Sequence, residues 1–339
     1  MSEALLAHAN ETIAVGSKSF AAAARLFSPT TRRGALMLYA WCRHCDDVID
    51  DQHHGFASQA RAPDDDARAS AAAVGAPDPE MRLAGLFDAT RRAYRGEPMI
   101  EPAFAAFQDV ALRHRIPQRF AFDHLEGFAM DVRGTRYETL DDTLRYCYHV
   151  AGVVGLMMAV VMGVEDEATL DRACDLGLAF QLTNIARDIV EDAAIGRCYL
   201  PAQWLREEGL PSDAPGALAA PVHRAALARL AARLIEHAEP YYESARAGIP
   251  ALPLRSAWAI AAARAVYRQI GVKVRARGAR AWDARAATSK PEKLRLLAGA
   301  TAMALAGRVR RPGRAVRPRA ATLWLRPAAA RHADAEDGA

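Results

Sequence analysis

Apolar residues recur at three- and four-residue spacing along most of this chain, and sustained strand-like alternation is hard to find. The segment 225–238 (AALARLAARLIEHA) is typical, since Ala, Leu, Arg and Glu are all strong helix formers. Such a chain buries its apolar faces by packing helix against helix, which predicts an all-α bundle. The predicted helices span 9–26, 30–51, 80–95, 101–114, 117–132, 139–163, 167–192, 221–248, 254–282 and 291–307.

Two stretches interrupt the helical pattern. Residues 52–79 contain HHG, PDDD and APDP, which indicate a flexible polar loop between helices and not a domain boundary. From residue 307 the chain is rich in Arg and Pro, a composition that predicts disorder. We therefore expect a single all-α domain over 1–306, followed by a disordered tail over 307–339.

The net charge of +4 is concentrated at the C-terminus. Residues 307–339 hold eight arginines against three acidic residues, and the rest of the chain has 36 basic and 37 acidic residues. A nearly neutral body does not support nucleic acid as a partner. The basic tail, with Trp324 and Leu325 among its arginines, suggests instead peripheral contact with an anionic membrane surface.

The cysteines and apolar stretches indicate a cytoplasmic protein. Cys42 and Cys45 form one CxxC pair, but the other three cysteines stand alone, so a four-ligand zinc site lacks its second half. The first twenty residues lack the basic start and apolar run of a secretion signal. The longest apolar stretch, 150–164, is about 22 Å as a helix against about 30 Å of bilayer core, which predicts a buried helix and not a membrane span.

Four aspartates fall within six residues at the end of one predicted helix. Asp46 and Asp50 are four residues apart and share a face of the helix. Asp47 directly follows Asp46, and Asp51 directly follows Asp50. Like charges at this spacing weaken a helix, so the cluster needs a reason beyond packing. A divalent cation is one such reason, because Mg²⁺ prefers carboxylate oxygens and leaves positions open for water and phosphate.

A second polar cluster lies on a helix that is otherwise apolar. Asn184, Asp188 and Asp192 stand at i, i+4 and i+8, separated by residues such as Leu182 and Ile189. Unpaired carboxylates are costly on a helix that packs in a core. Two such helices facing each other could hold metal ions against a diphosphate. The alternative is that each cluster is a solvated helix face; a di-iron site is disfavoured because no Glu-x-x-His occurs.

Several basic and hydroxyl side chains fit anion binding. The string 16–19 (GSKS) fails as a Walker motif, but its Lys and two Ser could clamp a diphosphate or be ordinary polar surface. Arg43 and Arg187 each lie next to an acidic cluster, where they could contact phosphates or only balance the carboxylates.

Five strings resemble the bacterial phytoene synthases, within the squalene and phytoene synthase superfamily. They are YAWCRHCDDVIDD (39–51), EGFAMDVR (126–133), YCYHVAGVVGLMM (146–158), LAFQLTNIARDIVED (178–192) and GRCYLP (196–201). The resemblance extends from about residue 10 to 297. It does not account for the 52–79 loop or the arginine-rich tail.

The resemblance implies a head-to-head prenyltransferase with the isoprenoid-synthase fold, a helical bundle around a central apolar cavity. The expected reaction joins two geranylgeranyl diphosphates through prephytoene diphosphate to 15-cis-phytoene and two diphosphates, the first committed step of carotenoid biosynthesis. It also implies several Mg²⁺ or Mn²⁺ ions, no nicotinamide, and neighbouring carotenoid enzymes as partners. The absence of a G-x-G-x-x-G fingerprint agrees with the lack of a nicotinamide requirement.

The resemblance also implies roles for individual residues. Tyr146 matches a tyrosine placed near the carbocation, and Asp47, Asp51 and Glu191 match weaker or supporting ligands. The implied catalytic residues are Tyr146, Asp46, Asp50, Asp188 and Asp192. The implied metal ligands are Asp46, Asp50, Asn184, Asp188 and Asp192. The implied diphosphate-binding residues are Ser17, Lys18, Ser19, Tyr39, Arg43, Arg187 and Arg285.

Three other activities remain open from the sequence alone. The protein could be a related enzyme that makes squalene or dehydrosqualene from the C15 diphosphate, because the length of the prenyl substrate depends on the depth of the cavity. A terpene cyclase is possible because Asn184, Asp188 and Asp192 mimic its second metal triad, although YCYHVAGVVG argues against it. A non-catalytic scaffold is disfavoured by the retention of every expected metal ligand. Tyr267 is expected to be a core residue.

Overall fold

The structure is a computed structural model that describes residues 2–16, 18–50, 52–53, 56–57, 78–309 and 318–327. Its described helices are α1 (Ser2–Gly16), α2 (Lys18–Ala24), α3 (Pro29–Asp50), α4 (Pro79–Tyr94), α5 (Pro102–His114), α6 (Gln118–Val132), α7 (Leu140–Cys147), α8 (Val153–Val161), α9 (Glu167–Ala194), α10 (Ala202–Glu207), α11 (Arg224–Gly248), α12 (Leu254–Arg277) and α13 (Lys290–Val309). A π-helical turn, Tyr148–Gly152, joins α7 to α8, and short 3₁₀ turns occupy Pro215–Ala219, Pro221–His223, Ile249–Ala251 and Gly278–Arg280. The predicted all-α class is confirmed.

The structure differs from the sequence prediction in local details. The helix predicted over 9–26 is two helices, and the one predicted over 139–163 contains the π-helical turn. The short helix α10 was not predicted. Within the 52–79 stretch, residues 52–53 and 56–57 form an antiparallel pair of two-residue strands, β1 (Gln52–His53) and β2 (Phe56–Ala57), and Pro79 already belongs to α4. Residues 54–55 and 58–77 lie outside the described residues.

Local chemistry sets several helix boundaries. At the start of α7, Thr139 and Asp142 form a reciprocal capping box, in which the Thr139 amide donates to the Asp142 carboxylate at 2.9 Å. Asp166 caps α9 by accepting from the Thr169 amide at 2.8 Å. The helix α12 ends at Gly278, whose φ of 54° suits a residue without a Cβ.

The long helix α9 lies at the centre of the bundle. It packs along α11 and also contacts α8, the π-helical turn and α12. On the other side of the core, α3 packs against α1 and α5, where the rings of Trp41 and Phe107 stack at 4.1 Å. Each fully buried aromatic or aliphatic side chain of this kind stabilises the fold by about 1.5–3 kcal/mol.

Two glycines allow α9 to approach the π-helical turn and α8 at backbone contact. A Cβ added at Gly177 of α9 would lie 2.3 Å from the carbonyl oxygen of Ala151. A Cβ added at Gly155 of α8 would lie 2.4 Å from the carbonyl oxygen of Ala173. Because no side chain can fit at either contact, the two helical segments pack closely only with glycine at these positions.

The apolar stretch predicted to be a buried helix belongs to the interior of the bundle. The continuous helical segment Leu140–Val161 is long and apolar enough to cross a membrane by length and composition, but 61% of its most apolar window is buried. Val153, Leu156 and Met157 are completely buried within the core cluster. The burial agrees with a core helix.

The sequence predicted a disordered C-terminal tail over 307–339, but part of this tail is ordered in the structure. Helix α13 continues to Val309, and residues 318–327 pack on the bundle, with Leu323 only 5% exposed. The guanidinium of Arg319 donates two hydrogen bonds to the buried carboxylate of Asp175 on α9, at 2.9 and 2.7 Å. The prediction was wrong here because composition alone does not reveal buried acidic partners on another helix. Residues 310–317 and 328–339 lie outside the described residues.

Candidate active site

An apolar cavity of about 540 Å³ opens between α2, α3, the π-helical turn, α8, α9, α12 and α13. Small residues on its wall, including Ala151, Gly155 and Gly177, leave its volume empty, while Met158 and Phe180 contribute flexible and aromatic surface. The central apolar cavity that the resemblance implies is present, and the run 150–158 (VAGVVGLMM) forms part of its wall. Such a cavity suits long hydrocarbon chains.

The first acidic cluster lies at the C-terminal end of α3, beside this cavity. Arg43 contacts Asp46 at 2.9 Å and Asp47 at 2.8 Å. Burial raises the pKa of Asp46 to about 6, although Arg43 opposes that shift. Asp50 pairs with Arg197 at 2.5 Å, and Asp51 lies outside the described residues.

The second cluster lies on the C-terminal half of α9. Asn184 lines the cavity, and Asp188 pairs with Arg187 of the same helix and with Arg285 at 3.1 Å. Burial raises the pKa of Asp192 to about 7, and the charge of Asp188 adds to the shift. Arg285 also approaches Glu191, at 3.9 Å.

Arg197 lies between the two clusters, and no pattern in the sequence pointed to it. Its guanidinium binds Asp50 of α3, and its backbone amide donates to the Asp192 carbonyl of α9 at 2.9 Å. Burial opposes the charged form, but the contact with Asp50 prevails and raises the pKa of Arg197. Arg197, which follows α9, therefore places a cation from the end of the second acidic helix against a carboxylate of the first.

A group of tyrosines lies next to Arg197. Tyr146 and Tyr199 stack with ring centroids 4.5 Å apart, and both hydroxyls donate to the carboxylate of Asp131, each at 3.1 Å. Burial raises the pKa of Tyr146 above its usual value, so its phenol is neutral. Asp131, Arg197 and Tyr199 belong to EGFAMDVR and GRCYLP, two strings already singled out without a role for these side chains. Their contacts appear only in three dimensions.

The remaining predicted residues fall into two groups. Tyr39 lines the cavity, and burial raises its pKa to about 12. Ser17 and the side chains of Lys18 and Ser19 lie outside the described residues.

Tyr267, expected to be a core residue, packs against the core and also lines the cavity, where it stacks on Phe180 with centroids 4.1 Å apart. Lys290 and Lys293 also line the cavity and were not predicted. Their signal was weak because a Lys at the start of a terminal helix is ordinary surface chemistry.

The donor set of the two clusters fits a hard divalent cation. Every proposed ligand offers oxygen, and the buried Asn184 Oδ1 has no hydrogen-bond partner among the described residues. Across the described ranges, no three Asp, Glu, His or Cys side chains converge as a ready-made cluster. Arginines hold Asp46, Asp50 and Asp188 instead. Mg²⁺ typically takes one or two carboxylates and completes its shell with phosphate and water, which matches this divided arrangement.

Comparison with known proteins agrees with these features. The 15-cis-phytoene synthase of Pantoea ananas is 63% identical over 323 residues, which cover 95% of this chain and 98% of that protein. The phytoene synthase of Pseudescherichia vulneris is 61% identical over 323 residues, which again cover 95% of this chain and 98% of that protein. The 15-cis-phytoene synthase of a Paracoccus strain is 49% identical, again over 95% of this chain and 98% of that protein.

Solved structures show the same architecture. A dehydrosqualene synthase bound to a ligand superposes with a TM-score of 0.75 at 26% identity, covering 90% of this chain and 98% of that one. A squalene synthase from Alicyclobacillus acidocaldarius shares the fold, with a TM-score of 0.65 at 23% identity over 81% of this chain and 95% of that one. A sequence model of squalene/phytoene synthase matches residues 13–292. The chain therefore belongs to the squalene and phytoene synthase family of prenyltransferases.

Proposed function

We propose that this protein is a phytoene synthase, which joins two geranylgeranyl diphosphates head-to-head through prephytoene diphosphate to 15-cis-phytoene. The observation that carries the proposal is an apolar cavity of about 540 Å³ with Tyr39 and Asn184 on its wall and two arginine-paired acidic clusters beside it. An apolar cavity accommodates prenyl chains and excludes water from a carbocation, while the charged groups suit the diphosphates. The names of relatives at 61–63% identity support the same product.

We assign Mg²⁺ or Mn²⁺ to Asp46, Asp50, Asn184, Asp188 and Asp192. When bound, these ions neutralise the charge that develops on the departing diphosphate. The unpartnered Oδ1 of Asn184 and the enclosed carboxylates support the assignment. Asp47 and Glu191, which contact Arg43 and Arg285, are suited to holding those arginines in place.

The arginines that pair with the carboxylates are suited to a second role. Arg43, Arg187 and Arg285 contact Asp46 or Asp188 in the structure. Once those carboxylates have another cationic partner, the guanidinium groups are available to bind diphosphate oxygens in bidentate fashion. Tyr39 extends this polar side of the cavity, and Ser17, Lys18 and Ser19 are proposed to contribute on the same grounds of resemblance.

The test is incubation of the purified protein with geranylgeranyl diphosphate and Mg²⁺ or Mn²⁺, without nicotinamide, followed by chromatography of the hydrocarbon extract. A metal-dependent C40 hydrocarbon with a triene chromophore is expected. Conversion of farnesyl diphosphate alone would instead indicate a dehydrosqualene-type activity, and a need for reductant would indicate squalene formation. A cyclic product from a single substrate would indicate a terpene cyclase, and inertness toward both substrates a scaffold.

The metal assignment has its own test. Asp188→Ala should abolish turnover and weaken Mn²⁺ binding, measured by calorimetry, while the helical circular dichroism spectrum stays unchanged. Asp88→Ala, on the exposed side of α4, is the matched control and should retain both activity and Mn²⁺ binding. Normal turnover by the Asp188 variant would overturn the assignment.

We also propose a cytoplasmic location with peripheral attachment to the inner face of the membrane, near other carotenoid enzymes. All five cysteines are free thiols, which suits a reducing compartment. Leu325 is 57% exposed, but Trp324 contacts Tyr148 and is not free to enter a lipid surface alone. Flotation with anionic liposomes at low salt tests the attachment, and neutral liposomes are the control; absence of the protein from the anionic lipid fraction would reject it.

A further inference from the structure

The carboxylate of Asp131 links three separate parts of the chain through hydrogen bonds. It lies on α6, and its two oxygens accept from different hydroxyls: Oδ2 from Tyr146 of α7 and Oδ1 from Tyr199 of the segment 196–201, each at 3.1 Å. Each hydroxyl donates its one hydrogen to the carboxylate. An ionised carboxylate only accepts, and the two tyrosines must donate.

These bonds determine how Tyr146 is presented. Since its hydroxyl hydrogen points at Asp131, the phenol of Tyr146 is held in one orientation relative to that carboxylate. The neighbouring Tyr199 ring stacks on it with an interplanar angle of 16°, which restricts rotation. The side chain of Val150, one helical turn beyond Tyr146, lines the cavity. A carboxylate behind the phenol also makes the ring more attractive to a cation.

The same carboxylate also controls Arg197 indirectly. Tyr199 lies two residues after Arg197, and the segment that carries both is attached to α7 through the Thr143 hydroxyl, which donates to the Tyr199 carbonyl at 3.0 Å. With the Tyr199 ring held by Asp131, Arg197 reaches Asp50 of α3. One carboxylate thus orients a tyrosine and anchors the segment that carries the cation between the clusters.

We propose that Asp131 is a positioning residue, which acts in the carbocation steps through Tyr146 by accepting its hydroxyl hydrogen and holding its ring in a single orientation. The inference rests on the proposed function. Nothing in the proton balance changes, because Asp131 retains its charge and Tyr146 its proton.

A double-mutant cycle tests this action through Tyr146. Asp131→Asn should lower kcat on the order of 10- to 100-fold, because a displaced reacting group costs about that much, with KM changed much less. In the background of Tyr146→Phe, the same change should lower kcat clearly less, since the hydroxyl it acts through is already absent and only the bond from Tyr199 remains to be lost. Equal losses in both backgrounds, or an unchanged kcat for Asp131→Asn alone, would reject the proposal.

The chain offers a closely matched control. Asp123, eight residues earlier on α6, accepts from the hydroxyl of Tyr148 at 2.6 Å, so it makes the same type of bond between α6 and the π-helical turn that continues α7. Asp123→Asn should lower the melting temperature and leave kcat within about 2-fold, because that bond supports only packing. A loss of kcat as large as that of Asp131→Asn would show that any such bond matters equally and would also reject the proposal.

Two further measurements keep the outcomes separable. If Asp131→Asn is insoluble, Asp131→Glu replaces it in the cycle, because the longer side chain keeps the charge but displaces it; wild-type kcat in that variant would reject the proposal. Failure of the unmodified protein to make a C40 product would overturn the proposed function. The cycle can then be measured on whichever prenyl diphosphate the protein does condense.

Discussion

Burial of the charged carboxylates of Asp46 and Asp192 in the candidate site lowers the stability of the fold. Burial is the main cause that raises the pKa of Asp46 to about 6 and that of Asp192 to about 7, and neighbouring acids add to both shifts. A folded-state pKa above the unfolded value means that the charged form is disfavoured by folding. Carboxylates with raised pKa values of this kind are typical of functional sites, and they do not stabilise the fold.

At this residue scale, we expect Asp192→Asn to raise the melting temperature of the metal-free protein at pH 8 and to abolish turnover. Each unit by which the pKa of Asp192 is raised corresponds to about 1.4 kcal/mol, which sets an upper bound on the gain in the free energy of unfolding. Because Asp192 is partly in contact with water, we expect a gain of about 1–2 kcal/mol. The gain is present above pH 7. It should shrink as the pH falls from about 7 toward the model-peptide value of 3.8, because Asp192 in the unmodified protein then becomes neutral.

Calorimetric scans of both proteins between pH 4 and 8 measure the effect. Glu80→Gln, an exposed change in the first turn of α4, serves as the control for loss of one negative charge. A stability difference that grows on acidification would contradict the stated direction of the pKa shift.

At the scale of elements, the contact between α9 and the π-helical turn depends on Gly177. Gly177→Ala places a Cβ against the Ala151 carbonyl, so the two segments must separate, at a cost of about 1–3 kcal/mol. Because Gly177 also lines the cavity, KM for the prenyl diphosphate should rise. The control is Gly85→Ala on the exposed face of α4, where nothing lies within 4 Å and a gain of about 0.5–1 kcal/mol is expected. Equal melting temperatures for the two variants would show that the close helix contact is not needed.

The docked tail is a second element-scale feature. Asp175 is 1% exposed, and its partners include Arg319 of the tail and the Ser244 hydroxyl at 2.5 Å. Deletion of residues 318–339 should therefore destabilise the protein by about 3–5 kcal/mol, as is usual when one partner of a buried ion pair is removed. Deletion of 328–339 alone keeps Arg319 and also Arg326, which binds Asp171 of α9 at 2.6 Å, and should avoid this loss. Thermal denaturation of both truncated proteins decides; equal stability would show that the tail contacts contribute nothing.

On the scale of the whole molecule, the depth of the cavity follows from how α8, α9 and α12 enclose it. A second cavity of about 60 Å³ lies beyond the first, and both are lined by Gly155, Met158 and Ile260. The side chains of Met158 and Ile260 thus stand between the two spaces. We expect the depth at this point to limit the length of prenyl chain that the cavity admits.

Met158→Ala should join the two cavities and let the protein convert the C25 analogue of its diphosphate substrate, with a stability loss of about 2–5 kcal/mol. Product chain length by mass spectrometry is the measurement. Met162→Ala is the control, since Met162 lines only the smaller cavity and its removal leaves the partition in place. If both variants show the same chain-length preference as the unmodified protein, the partition does not determine substrate length.

The sequence by itself determined the helical class, both acidic clusters and the apolar run on the cavity wall. These are local patterns: helical periodicity needs only neighbours three and four residues apart, and Asp46 with Asp50 share a face by spacing alone. Strings such as LTNIARDI also carried the family resemblance.

Only the tertiary structure decided which distant groups meet. Asp131 reaches Tyr199 across 68 residues, Arg197 reaches Asp50 across 147, and Arg319 reaches Asp175 across 144. Such pairs have no periodic signal, because their proximity comes from the packing of whole helices and from the cost of leaving a buried charge without a partner. The tail was misjudged for the same reason: its arginines look solvated until the buried carboxylates on α9 are located.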